Sequence, residues 1–234
     1  MKKLKYIFLL AGALSLASCE SWLDEDPQYT INTKTQFSTV ENARQALMGC
    51  YGYMSADNAY GQAWQEVTFG YCGFGWSQTN GSSTDLLVSM DGGIDETINT
   101  MAWRGMYKVI GETNAFIANI ADSPLESADK LPMEAAARFL RALAYYNLAV
   151  TYGDVPLKTT PSAHDGVAVP RSPKSEVFEL VCTDWEFAYE NLPEKDDDGF
   201  ATKWAAKAYL GKLYHTLGCQ GDNCLLYTSP SPRD

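Results

Sequence analysis

The chain has 234 residues, 46% of them hydrophobic and 20% charged, with 29 acidic side chains against 18 basic ones and a formal net charge of −11. That balance leaves no basic footprint for a polyanion and so argues against nucleic acid as a partner. With only His164 and His215, no G-x-S-x-G elbow, no H-E-x-x-H pair and no phosphate-cradling glycine motif, it also lacks the common signatures of nucleophilic, metal-assisted and phosphoryl-transfer chemistry.

In chain order, Lys2, Lys3 and Lys5 precede an apolar stretch from Tyr6 to Leu16, and the small residues Ala17 and Ser18 stand before Cys19. The stretch is too short for a bilayer, which needs roughly 20 apolar residues, and reads as a secretory signal over residues 1–18. The junction Leu16-Ala17-Ser18-Cys19 resembles the bacterial lipobox, which implies that Cys19 becomes an acylated first residue. Stable anchoring needs two or more acyl chains, at about 0.8 kcal/mol per buried methylene, and a diacylglyceryl thiol meets that need. Removing residues 1–18 deletes three lysines and no acid, which takes the charge from −11 to −14. With no basic amphipathic segment after Cys19, the acyl group is expected to carry the contact with the membrane.

Residues 19–37 mix acids and polar residues with scattered apolar anchors and are expected to form a tether. Ser38 stands three residues before Glu41, the capping-box spacing. Val40, Ala43, Leu47, Cys50, Tyr51 and Met54 follow at helical intervals, predicting a helix from about Thr39 to Ser55. From Asp57 to Asn99 the periodicity fails and glycines alternate with aromatics, predicting a long irregular excursion of the kind that is usually functional. Trp103, Met106, Ile110, Ile117 and Ile120 mark the next helix, broken near Ser123-Pro124.

Pro132 sits where a first helical residue would, and Phe139, Leu143, Tyr146 and Val150 share one face. Leu140, Leu148 and Tyr152 occupy another face, so that only a narrow stripe near Arg138, Arg141 and Asn147 is expected to stay polar, on a helix buried on most sides. Gly153 ends it. Ser172-Pro173 predicts an N-cap for the helix carrying Val177, Val181, Trp185, Ala188 and Leu192. Thr202 is expected to cap the helix of Ala206, Leu210, Leu213 and Leu217, where Ala205, Ala208 and Gly211 would admit a close neighbour and Gly218 would stop it. The acidic run Glu194 to Thr202 has the look of a calcium loop, but Ala205 stands where the bidentate glutamate is required, so a solvated turn is expected. Asp154 reads as a turn former. Cys50, Cys72, Cys182, Cys219 and Cys224 make no disulfide framework, and two or three buried free thiols are expected. No metal site and no cofactor are predicted. The tail 224–234, CLLYTSPSPRD, has one back-translation that resembles a transposase sequencing adapter and is expected to lie outside the fold.

These elements predict an all-α fold of stacked antiparallel helix pairs. The segment RFLRALAYYNLAVTYGDVPL, Arg138 to Leu157, resembles the signature helix and turn of the SusD/RagB family of outer-membrane lipoproteins. SWLDEDP (Ser21 to Pro27), WRGMYKVIGETNAFIANI (Trp103 to Ile120), PRSPKSEVFELVCTDWEFAYENLP (Pro170 to Pro193) and ATKWAAKAYLGKLYHTLG (Ala201 to Gly218) resemble further segments in the family's order. The resemblance implies tetratricopeptide-like helix pairs over residues 38–223 and no enzymatic activity. It also implies a lid over a SusC-type TonB-dependent transporter, catching oligosaccharides or, in some members, peptides. Members are about twice as long, so part of the ligand surface is expected beyond this stretch of chain.

Sugar binding without chemistry uses aromatic faces against ring faces and amides or carboxylates against hydroxyls. In the excursion, Trp76 is a candidate stacking platform, or a member of a small satellite core, with Tyr71 and Phe74 beside it and Asn80 and Asp85 as polar partners. Trp103, Trp185 and Trp204 lie on helical stripes and are expected in the core. The alternatives to nutrient capture are a helical scaffolding lipoprotein that binds another protein and a surface glycoside hydrolase using two distant carboxylates.

Overall fold

The computed structural model describes residues 33–70, 72, 88–90, 97–161, 169–196 and 199–219. A short helix α1, Thr33–Gln36, leads into α2, Val40–Ser55. The cap of α2 is Thr39, whose hydroxyl accepts the Asn42 amide at 3.2 Å. Ser38, the expected cap, instead donates its hydroxyl to the Thr35 carbonyl, which closes the turn before α2. Ala43, Leu47, Cys50 and Met54 are buried as their spacing requires.

The region read as irregular begins with order. A π-helical turn, Asp57–Gly61, and α3, Ala63–Gly70, follow directly, and Trp64 and Val67 are buried. Only eight residues long, α3 offers too few repeats to stand out as a period. The next helix, α4, spans Thr97–Ala121 and starts six residues before its first predicted apolar marker, Trp103. The bulge of the π turn lies against it: a Cβ on Gly105 would sit 1.9 Å from the Asn58 carbonyl oxygen, so only glycine fits that position.

Helix α5, Ser127–Tyr152, starts a turn before the predicted Pro132, which is inside it rather than at its first position. The entry is held instead by Lys130, whose ammonium reaches the Ala121 and Ser123 carbonyls at the end of α4. From Ala135 to Ala149 only Arg138 escapes full burial. The predicted polar stripe is therefore not a surface: Arg141 and Asn147 are buried, the guanidinium bonded to Asp184 and the Asn147 amide nitrogen donating to the Tyr60 hydroxyl.

The turn after α5 requires Gly153, at φ 75° and ψ −125°, a conformation that side chains with a Cβ rarely adopt. Two short strands, β1 (Val155–Pro156) and β2 (Arg171–Ser172), then pair antiparallel with Pro156 opposite Arg171. They bring Asp154 to the start of α6, Lys174–Asn191, where its carboxylate accepts the Lys174 amide at 2.9 Å. That bond, and not a Ser172 side-chain cap, closes the helix start.

Helix α7, Lys203–Cys219, runs on through Gly218. Ala206, Leu210 and Leu213 are buried, but Gly211 faces open space, with nothing within 4 Å of the point where a Cβ would stand, so it admits no close neighbour. Trp204 is 52% exposed with the Lys203 ammonium over its ring, against the expectation that it packs in the core. Asp196, in the acidic turn, is paired with Arg44 and accepts the Phe200 amide.

Cross-helix contacts give the directions. Phe139 and Tyr146 of α5 meet Trp185 and Phe178 of α6, and Cys182, Trp185 and Tyr189 of α6 meet Tyr214, Tyr209 and Lys207 of α7, so successive helices run antiparallel. The core lies along α5, with α4 on one side and α6 on the other; Trp185, Tyr145 and Met106 are its largest fully buried side chains. Burying each contributes about 1.5–3 kcal/mol. Cys50 is buried, Cys182 half-buried and Cys72 exposed, all as free thiols.

Candidate functional site

The loop leaving α5 is fastened to the helix pair by buried polar groups, and a pocket forms against it. Arg141 gives two parallel bonds to Asp184 of α6, both 2.8 Å, in the fork geometry that suits a carboxylate. Its third donor reaches the Asn114 amide oxygen on α4 at 2.9 Å. Held this way, the Asn114 amide nitrogen donates to the carbonyls of Lys158 and Thr160 at 2.9 and 3.3 Å. Tyr145 of α5 closes the clasp: its hydroxyl donates to the Lys158 carbonyl at 2.8 Å and accepts the Lys158 amide at 2.6 Å. Tyr107 donates to the Pro156 carbonyl at 2.8 Å. Backbone groups of Pro156, Lys158 and Thr160 are thereby satisfied by the helices under them.

Between the loop and α4 is a cavity of about 280 Å³. Trp103, Tyr107, Ile110 and Asn114 form its helix side. Pro156, Lys158, Thr160 and Val169 form its loop side. The Trp103 ring is fixed edge-on to Tyr152 at 5.1 Å and beside Tyr107 at 5.0 Å. Burial pushes the Tyr107 phenol up beyond the usual tyrosine range; the neighbouring Tyr145 adds to this and the charge of Arg171 opposes it. At neutral pH that hydroxyl is protonated, as its bond to Pro156 requires.

Trp103 is thus only half-buried and lines a cavity, where the periodicity placed it in the core; Trp185 is fully buried as expected. The five side chains expected to meet a sugar, Tyr71, Phe74, Trp76, Asn80 and Asp85, lie outside the described residues, as do Cys19 with the signal segment 1–18 and the tail 224–234. The excursion that carries those five rejoins the helices at Thr97. Six residues of helix separate Thr97 from Trp103, about 9 Å at 1.5 Å per residue. Among the described residues no three His, Cys, Asp or Glu side chains converge as metal ligands would, and no helix is long and apolar enough to cross a membrane.

The clasp and the pocket were not predicted. The available signal was an arginine on a helix whose apolar residues occupy most of its sides, because a buried charge demands a partner.

The described residues thus form an all-α stack of antiparallel helix pairs with a cavity of about 280 Å³ beside a pinned loop. Residues 21–215 match the SusD-like family model described as starch-binding, associating with the outer membrane, and the chain belongs to that family. The SusD-like protein P25 of Formosa agariphila is 26% identical over 89% of this chain and 42% of its own length. A SusD-like protein of Bacteroides ovatus is 28% identical over 91% of this chain and 39% of its own. The chain therefore spans about two fifths of the length of these curated relatives.

Among solved structures, a SusD superfamily protein from Bacteroides thetaiotaomicron superposes with a TM-score of 0.68 at 24% identity, covering 79% of this chain and 44% of that one. A laminarin-binding SusD-like protein gives 0.66 at 25% identity over 79% and 41%. A structure described with a xylogluco-oligosaccharide gives 0.62 at 26% identity over 72% and 34%.

Proposed function

We propose that this protein is a non-catalytic, lipid-anchored oligosaccharide-binding protein of the outer membrane that hands its ligand to a SusC-type TonB-dependent transporter. The observation that carries the reading is the family match over residues 21–215, joined to two structural neighbours at 25–26% identity whose descriptions name laminarin and a xylogluco-oligosaccharide. The pocket agrees with it, since an aromatic wall and a loop of pinned carbonyls suit a polyhydroxylated ring. In this reading Cys19 carries the acyl anchor, and the tether, expected over residues 19–37, ends before α1, since Phe37 packs on Phe116 in the core; the residues from Thr33 through 223 belong to the helical binding domain. Trp76 is the stacking platform, flanked by Tyr71 and Phe74, with Asn80 and Asp85 bonding hydroxyls.

The test is calorimetric titration of the full-length protein with laminari- and xyloglucan oligosaccharides. Trp76→Ala should weaken whichever glycan binds by about tenfold, the worth of one stacking contact. Unchanged affinity removes the role of Trp76, and no binding to any glycan of a broad panel removes the reading itself. Pull-down of a transporter barrel from solubilised membranes tests the delivery step.

A further inference from the structure

On a chain with 29 acids and 18 bases, an unpaired cation is unexpected, since each base has a surplus of carboxylates to meet. Most described cations have found a partner. Arg44, Lys108, Arg138, Arg141 and Lys203 pair with carboxylates. Lys174, Lys207 and Lys212 lie over aromatic rings, and Lys130 meets backbone carbonyls. Of the cationic side chains described, only Arg104, Lys158 and Arg171 have no carboxylate, ring or carbonyl partner.

Two of those three are at one place. Lys158 lines the cavity, and Arg171 stands opposite the cavity residue Pro156 across the β1–β2 pair. The field of Arg171 reaches the Tyr107 hydroxyl on the far wall. The nearest acid along β1, Asp154, is committed to the Lys174 amide. With a volume of about 280 Å³ the cavity is at the small end of ligand sites, which run from about 300 to 1,000 Å³, and suits one sugar ring.

We infer that this pocket selects an anionic sugar unit, its ring against Trp103 and Tyr107 and its charged group between Lys158 and Arg171. The inference rests on the glycan-binding reading above and names the ligand class for this site. A uronate carboxylate and a sulfate ester offer the same chemistry here, acceptor oxygens that an arginine can grip in a fork while a lysine supplies a second charge.

The test titrates the full-length protein with three probes of equal length: galactotriose, tri-galacturonate and a sulfated galactose trisaccharide. At least one anionic probe should bind about tenfold more tightly than the neutral one, the worth of a hydrogen bond to a charged group. The advantage should shrink as salt rises and screens the charges. The double variant K158Q/R171Q should lose the preference, binding the anionic probes no more tightly than the neutral one; should it fold poorly, R171Q alone, at an exposed position, reads the same effect. Which anionic probe wins distinguishes carboxylate from sulfate. Equal binding of all three probes overturns the inference and leaves the glycan reading standing. An anionic preference that survives both variants overturns the assignment to this pocket. Binding of none of the three, nor of any glycan in the broader panel, overturns both.

Discussion

Replacing Arg141 by methionine tests whether the buried polar network is a structural necessity of the fold. Asp184 is fully buried, and two of its bonds come from Arg141; without them only Arg138, at 3.5 Å, faces the carboxylate. The Asn114 amide oxygen loses its donor in the same step. An uncompensated buried charge costs about 3–5 kcal/mol, and in a domain of this size each kcal/mol lowers the melting midpoint by about 2–4 °C. Arg141→Met should therefore lower it by roughly 6–20 °C. The double variant R141M/D184L removes both charges and should recover more than half of the loss. Recovery is incomplete because Asn114 still lacks a donor, which costs about 1–3 kcal/mol. Urea unfolding followed by far-UV circular dichroism gives the free energies. A cost below about 1 kcal/mol for Arg141→Met would match an exposed pair and refute the reasoning, as would a double variant no better than the single.

Two glycines should respond in opposite directions to alanine. Gly105→Ala drives a Cβ to 1.9 Å from the Asn58 carbonyl and should destabilise by about 1–3 kcal/mol or more, whereas Gly211→Ala, in open space within α7, should stabilise by up to about 1 kcal/mol; chemical denaturation of both variants checks the contrast. Alkaline pH should also weaken the fold. Burial raises the Cys50 thiol from 9.0 to about 12 and the Tyr51 and Tyr60 phenols from 10.0 to about 12. The folded chain keeps protons that the unfolded chain releases, so their contribution is complete below about pH 9 and is lost as pH rises towards 12. Urea midpoints measured from pH 8 to pH 11 should fall steadily above pH 9, and a flat profile would contradict the assignment.

The helices were legible because each long one repeats its apolar positions several times: all five stripe residues from Val177 to Leu192 are buried. Errors fell where one residue type has two physical uses. A proline favours a first turn but is tolerated in a second when Lys130 secures the entry, as at Pro132. Neighbouring Ser38 and Thr39 can both cap, and the choice depends on where the chain turns beforehand. Trp204 faces outward because it stands two positions before Ala206, about 200° round the helix from the buried stripe of Ala206, Leu210 and Leu213. Gly105, whose absent side chain admits the π turn, could not be told from Gly211, because the approach of Asn58 is made by a residue 47 positions away in the chain. The candidate site was hardest of all: its helix wall is written in one helix and its loop wall in a segment with no period, and only the bonds between them join the two.

Those bonds also explain why the most recognisable stretch of the sequence is a poor guide to what the protein holds. In RFLRALAYYNLAVTYGDVPL, Arg141 secures Asp184 and Asn114, Tyr145 grips both polar backbone atoms of Lys158, Tyr146 and Asn147 meet Thr216 and Tyr60, and Gly153 and Asp154 turn the chain and close the start of α6. Most polar groups in the segment are thereby taken up in holding α4 to α7, the π turn and the loop in register, which leaves few of them to discriminate between ligands. At the pocket proposed above, discrimination would fall to groups that the clasp positions but does not consume. In that proposal those are the Lys158 side chain, whose backbone is pinned while its ammonium meets no carboxylate, ring or carbonyl among the described residues, and Arg171 across the strand pair. A scaffold of this kind allows the ligand to change through substitutions at a few exposed loop positions, because none of those changes touches the network that keeps the fold stable.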